Sequence, residues 1–147
     1  QVGRSTPLDM RGYVAMSGNF GYELDLTKFT EEEKEVVKRQ VALYKEIRGL
    51  VQTGEMYRLL SPFEGNETAW MFVAEDGSEA AVFYFRVLAE SNAPLNRLKL
   101  KGLDPAADYA LVGTSEVYTG DALMYAGIAV GAERGDYHSE FFRFRRV

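Results

Sequence analysis

The sequence predicts a mainly β fold with an N-terminal helical segment: an antiparallel β-sandwich that follows a short α/β piece. Three observations carry this reading. Residues 31–52 hold one long amphipathic helical pattern. From residue 54 onward the apolar residues alternate with a period of two. Turn signals then recur at about the 8–12-residue spacing of sandwich folds, around some seven or eight short strands. The change of period divides the chain into an α/β piece, residues 1–54, and an all-β piece, residues 55–147.

The first helix is expected to start at Thr6 as N-cap, with Pro7 in the first helical position and Asp9 three residues after the cap. It runs to about Met16, through an unfavourable Gly12, and Gly18 ends it. Asn19 to Leu24 reads as a short extended segment, and Asp25 to Phe29 as a connection. Thr30 and Glu33 form a capping box, with Glu31, Glu32 and Glu33 against the positive end of the second helix. In that helix Val37, Val41, Tyr44, Ile47 and Val51 make one stripe, and Val36, Leu43 and Leu50 a second beside it. So wide an apolar face expects neighbours on more than one side. Gly49 weakens the last turns, and Gly54 is the expected C′ residue. Helix, short strand, helix is the order in which a β/α barrel ends, and equally the order in which other α/β folds end. The α/β piece is too short to bury its own apolar faces.

Met56 to Leu60 predicts a strand, and the nearly all-apolar Ala69 to Ala74 a strand buried on both faces. Asp76-Gly77 signals a hairpin. Ala80 to Leu88 returns as a long strand, with Phe83 and Phe85 on one face and Tyr84 on the other. Leu98 and Leu100 alternate with Lys99 and Lys101, as in a half-exposed strand. Asp104-Pro105 makes a turn, and Tyr109 to Val112 another strand. Gly120-Asp121 starts a short helical turn through Leu123-Met124 that Gly127 ends. Ile128 to Val130 and a last run with Phe142 and Phe144 alternating with Arg143 and Arg145 complete the strands.

Composition excludes several function classes. The net charge of -5 rules out a global positive field for nucleic acid. No apolar run approaches the roughly 18 residues a membrane span needs. With no Cys, disulfides and thiolate metal sites are excluded, and a reducing, cytoplasmic setting is expected. Gln1 opens the chain, so a piece cut from a longer protein is expected.

The stretch Arg11-Gly12-Tyr13-Val14-Ala15-Met16-Ser17-Gly18-Asn19-Phe20-Gly21-Tyr22-Glu23-Leu24-Asp25 resembles the end of the catalytic barrel of bacterial α-galactosidases of glycoside hydrolase family 36. Tyr44-Lys45-Glu46-Ile47-Arg48, Tyr57-Arg58-Leu59-Leu60-Ser61-Pro62, Trp70-Met71-Phe72-Val73 and Thr119-Gly120-Asp121-Ala122-Leu123-Met124 continue the likeness over essentially the whole chain. The resemblance implies a parent enzyme that removes terminal α-galactose from oligosaccharides such as melibiose and raffinose. It implies that residues 1–54 are the remnant of a (β/α)8 barrel and residues 55–147 the C-terminal sandwich. A retaining glycosidase needs a nucleophilic carboxylate and an acid/base carboxyl about 5–5.5 Å apart. The family places these in a Lys-x-Asp strand end and a later Asp-containing loop, both before the segment matched by Gly18–Asp25. No Lys-x-Asp strand end occurs here, and the family's Cys-containing, Gly-rich substrate loop is missing because the chain has no Cys, so no catalytic, metal or cofactor-binding residue carries over and no cofactor is implied.

Local candidates have plainer readings. Glu23 and Asp25 lie at the end of the expected barrel strand, where catalytic groups gather; the plainer reading makes Asp25 a loop cap and pairs Glu23 with a neighbouring element. Glu64 and Glu67 flank Gly65-Asn66 as a conceivable acid/base pair, and a solvated loop is the plainer reading. His138, the sole His, reads as a surface residue. Trp70, Phe72, Tyr84 and Tyr118 would suit a sugar-stacking platform, against a preferred core role. Arg143, Arg145 and Arg146, with Lys99 and Lys101, read as basic edges that discourage strand pairing or face a partner domain. Gly120-Asp121 lacks the Gly-Lys-Ser pattern of a phosphate loop.

The favoured function is therefore a structural, accessory part of an α-galactosidase, inactive by itself. A free-standing carbohydrate-binding module is the second reading, and such a module has no need of the long helix. The expected partners are the remaining barrel, which supplies the galactoside site, and a second copy of the chain; nucleic acid and membrane are not expected. The all-β piece is expected to fold alone, with Trp70 and Phe85 in its core. One stripe of the long helix is expected to be exposed or covered by that second copy, with residues 1–26 refolded, swapped or mobile.

Overall fold

The capping box forms as its residues require. Thr30 Oγ1 accepts a hydrogen bond from the Glu33 amide at 3.2 Å, and the Glu33 carboxylate accepts one from the Thr30 amide at 2.9 Å. From there the long helix α2 runs over Glu31–Thr53, preceded by α1 over Leu8–Met16 and a single 3-10 turn at Leu26–Lys28. This computed structural model describes residues 5–23, 25–91 and 95–147.

Behind α2 come β1 (Glu55–Leu60), β2 (Glu67–Val73), β3 (Glu79–Arg86), β4 (Asn96–Leu98), β5 (Asp108–Leu111), β6 (Val117–Thr119), β7 (Ile128–Val130) and β8 (His138–Arg146). A π-helical turn, Ala122–Ala126, joins β6 to β7. Six strands form one antiparallel sheet in the order β1-β2-β3-β8-β5-β6, and β4 pairs with β7 in a second, small sheet. The β2–β3 hairpin turns at Gly77, whose positive φ of 67° is the left-handed conformation that glycine adopts without strain.

Alternation along β3 separates two cores. Val82 and Tyr84 face Leu98, Ile128 and Val130 of the small sheet. Phe83 and Phe85 face the opposite way, where they pack with Met10 and Met16 of α1 and Ile47 and Leu50 of α2. The molecule is thus an antiparallel sandwich with a helical layer on the outer face of its large sheet.

Several expectations change. Thr6 does not cap α1: Pro7 stands at the N-cap, Leu8 is the first helical residue, and no side chain caps that end. Gly54 is extended (φ −75°, ψ 163°), so it is not a left-handed C′ residue. Its role is close approach, since a Cβ there would lie 2.5 Å from the Leu50 carbonyl oxygen and 2.8 Å from that of Val73.

Residues 19–23 form no strand, and Leu24 lies outside the described residues. Their side chains fold back on α2 instead. Phe20 meets Tyr44 with ring centroids 5.1 Å apart, Tyr22 donates its hydroxyl proton to Gln40 Oε1, and the Tyr44 hydroxyl donates to the Gly18 carbonyl at 3.1 Å. This answers the wide apolar face of α2: every residue of both stripes is buried or half-buried by this chain alone, and the expected exposed stripe is not found.

Gly12 is buried where α1 crosses α2, with the Gln40 amide occupying the space a side chain would need. Strand β8, read as a basic edge, lies inside the sheet between β3 and β5, because the chain end returns across the first hairpins.

Candidate functional site

Polar and aromatic side chains meet around the β1–β2 loop, residues 61–66. Glu67 opens β2, and its carboxylate is held twice. Oε1 accepts from the Tyr84 hydroxyl at 2.5 Å and Oε2 from Asn96 Nδ2 at 2.6 Å. Burial, and then this bond to Glu67, raises the Tyr84 phenol well above its ordinary range. Asn66 Nδ2 donates to Glu90 at 3.1 Å. A cavity of about 400 Å³ opens between Ser61, Glu64, Asn66, Glu67, Arg86 and Asn96. A second, of about 610 Å³, lies on the other side of the loop between Ser17, Met56, Phe63 and Trp70.

Trp70 is half-buried. Its indole N–H donates to Ser17 Oγ at 2.6 Å and its ring lies 4.9 Å from Phe85. Phe85 is in the core as expected, whereas Trp70 sits at the rim of the layer between sheet and helices. Trp70 and Phe72 face the helices while Tyr84 and Tyr118 face the small sheet, so the four make no shared platform.

Asp25 is an exposed cap. It accepts from the Thr27 amide at 3.1 Å and the Thr27 hydroxyl at 2.6 Å, and these bonds hold its carboxyl below the usual range. Glu23 is exposed, and no pairing of it is seen among the described residues. Asp121 caps the π-helical turn through the Ala122 amide at 2.7 Å, and its hydrogen bond from Thr119, then that from Ala122, lower its pKa. Gly120 has the Asp104 carbonyl oxygen 1.9 Å from where a Cβ would stand, so a close backbone approach, and no phosphate loop, explains the Gly-Asp pair.

His138 is a correction: its side chain is only 13% exposed, not a surface group. Nε2 lies 2.6 Å from Glu140 and Nδ1 3.6 Å from Glu133, and the ring meets Tyr84 edge-on. Among the described residues no group of three or more His, Cys, Asp or Glu side chains is placed to hold a metal.

Sequence reasoning missed two buried arginines. Arg86 donates to the carbonyls of Gly131, Glu133 and Gly135, which pins the β7–β8 connection to the end of β3. Arg143, buried on β8, pairs with Glu46 of α2 and with Glu79 of β3, the latter at 2.5 Å. It faces α2 of the 1–54 piece, across the expected seam. The signal was present in each case: an Arg at the end of the apolar run Val82–Phe85, and one between Phe142 and Phe144. Arg145 and Arg146 stay half-exposed, near Glu79 and Asp104. Lys99 and Lys101 are exposed, and Lys101 Nζ donates to the Arg58 carbonyl at 3.2 Å.

Comparison with known proteins agrees with this architecture. A melibiase family model matches residues 1–54, and the glycosyl hydrolase family 36 C-terminal domain model matches residues 67–144, more than half of the chain. Over its full length the chain is 62% identical to the α-galactosidase AgaA of Geobacillus stearothermophilus and 43% identical to the α-galactosidase Mel36A of Lactobacillus acidophilus. It covers 20% of each of those proteins. A crystal structure of AgaA in complex with raffinose superposes over the whole chain and 20% of its own length, with a TM-score of 0.96 at 61% identity. The galactosidase domain of AgaSK, an α-galactosidase/sucrose kinase of Mediterraneibacter gnavus, superposes with a TM-score of 0.95 at 37% identity, again over 20% of its length. No helix among the described residues is long and apolar enough to cross a membrane. The helical layer, the large sheet with its small partner sheet and the matched residues agree, and the chain belongs to the glycosyl hydrolase family 36 C-terminal domain family.

Proposed function

We propose that this chain is the C-terminal part of a retaining α-galactosidase acting on melibiose- or raffinose-type galactosides, and that it serves structure, not chemistry. In this reading residues 1–54 are the last elements of the catalytic barrel and residues 55–147 the β domain that buttresses it. The observation that carries the reading is the shared core of α1, α2 and the outer sheet face, built on Met16, Ile47, Phe72, Phe83 and Phe85. A layer of this kind transmits rigidity from a sheet to the helices of an adjoining barrel. Val14 and Leu26 remain 48% exposed, and the remaining barrel strands and helices would cover them. Glu23 and Asp25 sit open to water, and the Asp25 carboxylate is taken up by Thr27, which supports a capping role.

Two assays with an aryl α-galactoside test this. The chain alone should show no turnover, and turnover that disappears in Glu23→Ala or Asp25→Ala would overturn the structural role. A chimera of AgaA carrying this chain in place of its own matching fifth should fold and hydrolyse the substrate. A folded but inactive chimera would contradict the proposed parent activity.

A further inference from the structure

Thr6, Arg11, Val14 and Ala15, in and just ahead of α1, line one cavity of about 440 Å³ together with Val87 and Tyr137 of the all-β piece. The cavity opens to water, with Val14 48%, Val87 43% and Tyr137 36% exposed. Arg11 is the one charged residue in its wall among the described residues. Tyr137 is also the sole non-glycine residue with a positive φ among the described residues, at 54°. That left-handed conformation is strained for a bulky side chain and persists only where the surroundings fix it. Here they do. The Tyr137 amide donates to the Val87 carbonyl at 3.0 Å, and the Ala89 amide donates to Asp136 at 2.7 Å. Arg86 holds the carbonyls of Gly131, Glu133 and Gly135 just before them. The fold therefore carries strain at the point where an aromatic ring joins Val87 and Val14 around one apolar hollow.

Composition narrows the occupant. Apolar walls poor in charge are what a permanent protein interface buries, whereas transient interfaces are more polar. The chain spans 20% of AgaA, so about four fifths of a protein of that kind lies outside this structure. In such a parent the chain leading into α1 passes Thr6, at the edge of the hollow. We propose that this patch docks the upstream part of the parent directly onto the all-β piece, with Val87 and the Tyr137 ring as anchors beside Val14. The inference rests on the reading of the chain as the C-terminal part of a larger enzyme and deepens it. The β domain then closes the seam with its own side chains, besides backing α1 and α2.

The test compares thermal midpoints, read by circular dichroism, in the chain alone and in the AgaA chimera that carries it. Two variants are used. Val87→Asp puts a carboxylate on the patch, harmless in water and costly where the patch is covered. Tyr137→Gly removes the ring and relieves the left-handed strain. Both should leave the midpoint of the chain alone within about 2 °C and lower that of the chimera by about 4 °C or more. Tyr137→Phe, which keeps the ring, should melt as the unmodified chimera does. A folded chimera without turnover counts against the parent activity alone, and a lowered midpoint of its two variants still supports the patch. The proposal fails if the variants leave the chimera's midpoint unchanged, or if they lower that of the chain alone by as much. It fails equally if the chain alone sediments as a dimer that Val87→Asp disperses, because the patch then belongs to a second copy.

Discussion

At Gly12 the chain has no room for a single carbon. A Cβ there would stand 2.3 Å from the Gln40 amide nitrogen, while Gln40 is tied to the Leu8 carbonyl at 3.0 Å and to the Tyr22 hydroxyl. Gly12→Ala gains helix propensity and still should destabilise the fold by about 1–3 kcal/mol, the usual cost of overpacking, in a denaturant titration. Arg143 should matter more. Its removal leaves Glu79, only 24% exposed, with Arg145 at 3.8 Å as its remaining partner, whereas Glu46 at 60% exposure returns to water. Arg143→Ala should therefore cost about 3 kcal/mol, the low end for breaking a buried pair, by the same titration. Tyr84 contributes to the alkaline limit. Burial and its bond to Glu67 raise its phenol above 10.0, so the unfolded chain releases this proton at lower pH than the folded one. The stability from this group is complete below pH 10.0 and is lost as pH rises beyond it. Thermal midpoints measured through that range should fall, and those of Tyr84→Phe should fall less steeply. Neither arginine's partners could be read from sequence, because Arg143 and Glu46 lie 97 residues apart and meet only through the sheet order.

At the scale of elements, local signals were legible and long-range ones were not. The capping box, the two-face alternation of β3, the Gly77 hairpin and the turn ended by Gly127 all follow from residues a few positions apart. The central place of β8 and the separate β4–β7 pair depend on strands far apart in sequence. The two readings of Glu67, loop group or acid, missed its bonds to Tyr84 and Asn96 for the same reason. The consequence for independent folding is specific. A chain beginning at Gly54 would leave Phe72, Phe83 and Phe85 facing water, where α1 and α2 now cover them. Such a truncation should bind a hydrophobic dye and lose cooperative unfolding, contrary to the self-sufficient sandwich that alternation alone predicts. A dye-free, cooperatively unfolding truncation would show that the helical layer is dispensable.

For the whole molecule, the account rests on helices and sheet forming one cooperative body, with α2 clamped by Arg143 and by the aromatic layer beneath it. That body is what the proposed parent would gain from the matched fifth: helices and sheet that back one another rigidly. The chain supplies its own probe, since Trp70 is its single Trp and its indole bridges β2 to Ser17 beyond the end of α1. The most direct measurement is equilibrium unfolding in urea, followed both by Trp70 fluorescence and by helical circular dichroism. One body predicts coincident transitions with a single midpoint. A fluorescence transition completed while the helical signal is still native would contradict it, because the seam would then open without the fold.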